Sequence, residues 1–252
     1  MKEKLAWQLA PQIPIMWFLL MLSAFAHGAE NDVRMLVIDQ TPYGFKNDKG
    51  INTGVLLDLM KEIHDDSGVG SAVQTLPLKR LLATLQLDIK SCALLANSPF
   101  VNDNFDLLEP IGYKLRGGVL PLAAVELKDY FSLTGKVIAV PLGVRFDNKF
   151  HNDSSLNKLS APRYINAIKM MKRGRVDAVA GAIPVLRYLA GKEGINIDFF
   201  GRPLILVEKN IYLACSFKLT KHERNKLQQA VISLKSSGKV QQIFDNYPGL
   251  FN

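Results

Sequence analysis

The chain has 252 residues, is 48% hydrophobic and 21% charged, and carries a formal net charge of +8. That composition excludes a disordered or fibrous protein, and the length suits one large domain or two lobes with separate cores. The basic balance does not point to nucleic acid: no dense basic run interleaved with aromatics occurs, and the nearest, Lys169, Lys172, Arg173 and Arg175, reads as the basic last turn of a helix.

Residues 1–29 have the layout of a secretory signal peptide. Lys2 and Lys4 make a positive start, residues 13–25 are an apolar run, and Ala24, Ala26, Gly28 and Ala29 offer cleavage near residues 26–29. The run is too short for a membrane span of ~20 residues, and nothing later approaches that length. No Cys follows it to carry a lipid. The expectation is an exported, periplasmic protein. Cys92 and Cys215 are too far apart for a CxxC motif. Export permits a disulfide, and their apolar surroundings equally suit two buried thiols.

Strand-like and helix-like segments then alternate, which predicts an α/β fold. A strand over 33–38 ends in Pro42-Tyr43-Gly44-Phe45, and Asn47-Asp48-Lys49-Gly50 is a hairpin signal. A helix over 55–63 buries Leu56, Leu59, Met60 and Ile63, and Gly68 and Gly70 end it. Strand 71–76 leads to a helix opened by Pro77 with a face of Leu78, Leu81, Leu82 and Leu85, then to strand 91–96. Residues 100–117 read as irregular and 119–125 as strand. The strand–loop–helix rhythm restarts at 136–140, Gly143 and a helix-like stretch over 145–150. Residues 152–160 read as loop, 162–172 as helix, 176–181 as strand, and Pro184 opens a helix that Gly191 stops. Residues 205–215 are extended. Thr220 and Glu223 form a capping box for a helix burying Leu227, Ala230, Val231 and Leu234, and a last helix carries Val240, Ile243, Phe244 and Tyr247. Residues 85–96 echo 171–182, each a helix end, a tight turn and a buried strand, which suggests two similarly wound lobes.

His27, His64, His151 and His222 have no metal-ligand spacing, and there is no G-x-S-x-G, HExxH, P-loop or G-x-G-x-x-G motif. No metal, cofactor or covalent chemistry is expected.

Several segments together resemble the periplasmic solute-binding proteins of ABC importers, in particular the amino-acid-type family 3 group. These are Pro42-Tyr43-Gly44-Phe45 with Gly50, Gly54 and Leu57-Asp58-Leu59; Leu78-Lys79-Arg80-Leu81-Leu82; Leu133, Gly135-Lys136-Val137 and Gly143; Gly174-Arg175-Val176-Asp177-Ala178; and Ser237-Gly238. The resemblance implies a two-lobed periplasmic binding protein-like α/β fold, each lobe a mixed sheet flanked by helices, with two crossover strands at the hinge. Lobe 1 would be residues 30–115 plus 211–252 and lobe 2 residues 116–210. It also implies a monomer that binds a small-molecule ligand in the interlobe cleft, closes by a hinge motion, and is presented to a membrane permease. In that fold the strand returning to lobe 1 would bring Cys215 near Cys92, so the resemblance allows a disulfide between them.

The family's Thr-x-x-Arg, whose Arg grips a ligand carboxylate, is replaced by Ser98-Pro99-Phe100-Val101-Asn102. Gly181 stands where the resemblance implies an Asp for the α-amino group. The expected ligand is therefore a small polar solute, anionic or amino-acid-like, and not an ordinary free amino acid. Tyr43 lies at the carboxyl end of the first strand, where α/β sheets bind ligands. Arg80 sits in a helix's first turn, where a cation opposes the dipole. Asn97 and Ser98 end the third strand, Gly143 and Arg145 mark a helix start suited to an anion, and Tyr113 and Pro184 would complete the lining. Rival readings are an enzyme on the same fold, similar to cyclohexadienyl dehydratases and needing a facing acid and base, or a ligand sensor without transport.

Overall fold

The computed structural model describes residues 32–87 and 89–247; the expected signal peptide, residues 1–29, lies outside them. Within the compact unit that begins at Val33 the elements are β1 (Arg34–Ile38), β2 (Phe45–Lys46), β3 (Asn52–Thr53), α1 (Val55–Ser67), β4 (Gln74–Leu76), α2 (Leu78–Leu85), β5 (Ser91–Ala96), α3 (Pro99–Asn104) and β6 (Asp106–Pro121). They continue with β7 (Val137–Pro141), α4 (Asn148–Asn152), β8 (Asn157–Ala161), α5 (Tyr164–Lys172), β9 (Ala178–Ala182), α6 (Ile183–Lys192), β10 (Leu204–Cys215), α7 (Lys221–Ser236) and α8 (Lys239–Asp245).

One mixed sheet runs β4-β1-β5-β10-β6-β9-β7-β8. Its two ends are wound alike. β1 pairs in parallel with β4 and β5, and β7 pairs in parallel with β8 and β9. In each triplet the first strand lies in the middle, the second outside and the third inside, as two right-handed β-α-β turns produce. The two long strands β10 and β6 form an antiparallel ribbon between the triplets. This repeated winding is the physical content of the echo between residues 85–96 and 171–182.

Helix α1 buries Leu56, Leu59, Met60 and Ile63 in a core completed by β1, β5, α7 and α8 and by Val185 and Tyr188 of α6. A second cluster packs α5 and α6 on β9. Smaller clusters cover the other faces, one with α2 over β1 and β5 and one around Phe150. Thr220 Oγ1 accepts from Glu223 N at 3.2 Å, and Glu223 Oε2 accepts from Thr220 N at 2.8 Å, so the capping box opens α7 as expected. Such a cap contributes about 1 kcal/mol. Cys92 and Cys215 are directly opposed in the β5–β10 ladder and are disulfide-bonded.

The structure departs from the sequence reading in four places. Residues 100–117 are not irregular: Ser98 caps α3, its Oγ accepting from Val101 N at 3.2 Å, and β6 follows. The charges that disguised β6 are cross-strand partners, since Arg116 Nε donates to Glu208 Oε1 at 2.9 Å and Lys114 pairs with the same carboxylate at 3.4 Å. Polar residues 157–161 are the edge strand β8 and not loop; a strand with a solvent-facing side tolerates such side chains. The helix expected over 145–150 is α4, beginning at Asn148 because Asp147 is its N-cap and accepts from Phe150 N at 2.7 Å. The extended run expected over 119–125 ends at Pro121.

Candidate functional site

The carboxyl ends of both parallel triplets converge on one cavity of about 910 Å³, within the usual range for ligand pockets. Residues following β1 (Gln40, Thr41, Tyr43), β5 (Ser98) and β7 (142–146) line it, as does Ala182 at the end of β9. The β6–β10 ribbon forms its floor through Leu115, Gly117, Val207, Lys209 and Ile211. This is where open α/β sheets bind ligands.

Local sequence accounts for these walls. The Tyr43 carbonyl accepts from Leu56 N at 3.0 Å and Leu57 N at 3.1 Å, and the Pro42 carbonyl accepts from Val55 N at 3.0 Å. The loop backbone thus caps α1 in place of a side chain and is fixed by it. Gly117 is required because a Cβ there would lie 2.8 Å from Val207 Cγ1 and 3.0 Å from Phe146 Cβ. Its absence lets Phe146 close over the ribbon. Gly143, at φ +77°, turns the chain after β7 so that the segment through Phe146 faces the cavity.

Among the residues singled out from sequence, Tyr43, Ser98, Gly143 and Arg145 line this cavity together. Tyr43 is 6% exposed, and its hydroxyl is covered without a hydrogen-bond partner among the described residues. Burial raises its pKa well above the usual value, with Tyr113 and Tyr164 adding to the effect. The phenol stays neutral, and the ring rather than the hydroxyl forms the wall. Asn97 lies just behind the wall, its Oδ1 buried without a hydrogen-bond partner and its backbone N donating to Asn210 O. Arg80 is exposed and outside the lining, because α2 turns Leu78 and Leu82 to the cavity instead. Tyr113 and Pro184 line a different cavity. Since α4 starts at Asn148, Gly143 and Arg145 lie on a loop and not at a helix N-terminus.

Lys209, Arg163 and Tyr164 also line the site and were not singled out. Lys209 was readable: it is in phase with Val207 and Ile211 along an extended strand, an odd place for a cation on an apolar face. Tyr164 packs over Gly181, where an added Cβ would meet Tyr164 Cε1 at 2.5 Å, and its hydroxyl accepts from Ala182 N at 3.2 Å. Position 181 has no room for a carboxylate while that ring is present. Among the described residues, the lining carries the cations Arg145, Arg163 and Lys209 and no Asp, Glu or His.

The wall after β7 has a pH-sensitive brace. His151 Nε2 accepts from Phe146 N at 3.3 Å, and the imidazole packs edge-on against Phe146 and Phe150. Its pKa lies below the ordinary 6.5, first through burial and then through Arg145 and Lys158, with Asp147 opposing. A folded-state value below that of the unfolded chain means the unfolded chain takes the proton more readily. Stability is therefore full above about pH 6.5 and is lost as pH falls through the folded value. The unfolding midpoint is expected to drop on acidification from pH about 7.5 to about 5.5, and less steeply in His151→Gln; equal slopes would show that His151 is not the cause.

The fold is similar to that of two-lobed periplasmic binding proteins. The second substrate-binding domain of GlnP from Lactococcus lactis, in an open conformation, superposes with a TM-score of 0.65 at 17% identity, over 87% of this chain and 97% of that one. The solute receptor for L-cysteine of Neisseria gonorrhoeae superposes with a TM-score of 0.61 at 17% identity, over 85% and 89%. In sequence, the chain is similar to the arginine-binding periplasmic protein of Mannheimia haemolytica, 28% identical over 133 residues, which are 50% of this chain and 54% of the relative. The chain thus matches about half the length of that relative. No protein-family model matches.

Proposed function

We propose that the protein is an exported solute-binding protein whose cleft captures a small organic anion with an apolar body for delivery to the membrane permease of an ABC importer. The observation that carries this reading is the sign of the charge in the cavity: Arg145, Arg163 and Lys209 stand in the lining without an Asp, Glu or His among its described residues. A carboxylate ligand gains charge-assisted hydrogen bonds there. The leucines and the Tyr43 and Phe146 rings take up its hydrocarbon part. An α-ammonium finds no carboxylate partner, and the guanidinium of an arginine-like ligand would meet like charge. The ligand is thus amino-acid-like at its carboxylate end and not a free zwitterion. Acid–base elimination on this fold needs a facing base and acid, so the lining favours binding over catalysis.

A thermal-shift screen of organic acids, amino acids and polyamines tests the reading. A ligand at a hundredfold excess over Kd adds about 2.7 kcal/mol of stability. Organic acids with aromatic or branched bodies are expected to raise the midpoint and polyamines to leave it unchanged. Lys209→Met is expected to weaken the best acid by about tenfold or more. A shift by free amino acids but not by their deaminated analogues would overturn the proposal.

A further inference from the structure

The ribbon of β6 and β10 has a second face. Side chains alternate along a strand, so while Leu115 and Gly117 look into the ligand cavity, Lys114 and Arg116 line a separate one of about 1100 Å³. Tyr113 and Pro184, expected at the ligand cleft, are part of this second wall. Arg187 of α6, Arg202 and Lys128 add three more cations, and Glu126 is the acidic side chain among its described lining residues. Glu208 partly neutralises Lys114 and Arg116, and Glu126 pairs with Lys128 at 3.4 Å. Arg187 and Arg202 have no ion pair among the described residues, and Arg187 Nε is buried without a hydrogen-bond partner. Burial lowers the pKa of Arg187, and the neighbouring Arg116 lowers it further. Arg187 and Arg116, the latter already paired with Glu208, thus share one recess with Arg202, in a space large enough to hold a further anion.

We propose that this cavity is a second binding site, specific for a small phosphate-bearing polyanion held by Arg116, Arg187 and Arg202. Guanidinium forks match phosphate oxygens two at a time, and several cations in one recess call for a ligand of more than one charge. Tyr113 and Pro184 supply an uncharged surface for the rest of such a molecule. The site shares the ribbon with the ligand cleft but uses none of the residues that line it, so the two stand or fall separately.

Inorganic pyrophosphate is a suitable probe, titrated calorimetrically into the full chain at low ionic strength and again at physiological salt. Binding is expected in both. Arg187→Gln is expected to weaken it by about tenfold or more, and Arg202→Gln, at an exposed position, likewise; unfolding midpoints check that both variants fold. Arg145→Ala, in the ligand cleft, is expected to leave pyrophosphate affinity unchanged. The proposal is overturned if millimolar pyrophosphate does not bind, if binding vanishes at physiological salt, if neither arginine variant weakens it, or if Arg145→Ala weakens it as much.

Discussion

Replacing Cys92 and Cys215 together by alanine is expected to lower the unfolding free energy by about 4 to 5 kcal/mol, the chain-entropy value for a loop of this order. The bond joins residues 123 apart in sequence, so it removes a large set of unfolded conformations. Both residues are fully buried and face each other across the β5–β10 ladder. The bond therefore also fixes the register by which β10 returns beside β5, the pairing that places Lys209 and Ile211 on the cavity floor. Urea denaturation of the double variant beside the parent, each with and without reductant, measures the effect. A loss under ~1 kcal/mol would show that the ladder alone holds the two strands.

Gly54→Ala is expected to cost about 3 kcal/mol and to weaken ligand capture beyond that loss. Its φ of +137° is a conformation that side chains rarely adopt. A Cβ would collide with the Tyr43 carbonyl and approach Gly44 Cα at 2.7 Å. The opposite side is also occupied: Gly54 N donates to Tyr247 Oη at 3.0 Å, and that hydroxyl donates to Asp58 Oδ2 at 2.6 Å. Burial, then the bond to Asp58, pushes the Tyr247 hydroxyl up to about pKa 12, so it stays a donor across the useful pH range. Relief has to come from the Tyr43 loop, which is the cavity wall. Gly50→Ala is the control: its φ is +73° with nothing within 4 Å, so it carries backbone strain of only ~1 kcal/mol and no collision. Equal losses at Gly50 and Gly54 would refute the role of the Tyr43 contact.

Much of the fold was legible because period and punctuation agreed. Gly54 and Gly68 bracket α1, Pro77 precedes α2, and the apolar run of β5 has the bounds expected of it. Patterns that depend on a partner strand were not legible in the same way. The charges of β6 make sense only beside Glu208, and β8 only as an edge. The site divided the same way. Tyr43, Ser98, Gly143 and Arg145 follow strands directly, and chain order suffices to place them. Arg163 and Tyr164 precede or open α5, and nothing local to them says that α5 starts at the cavity. Tyr113 and Pro184 line the other cavity, Tyr113 on β6 and Pro184 in the first turn of α6, and nothing local to either shows which cavity it faces.

The disulfide also makes the molecule a ring with tails. Residues 93–214, the whole of β6 to β9 and the helices among them, enter and leave through one covalent clasp between adjacent strands. A protease that cuts any loop of that ring opens it without separating two pieces. After such a cut the fragments stay joined through Cys92 and Cys215, and the far half of the sheet can close again around its own core.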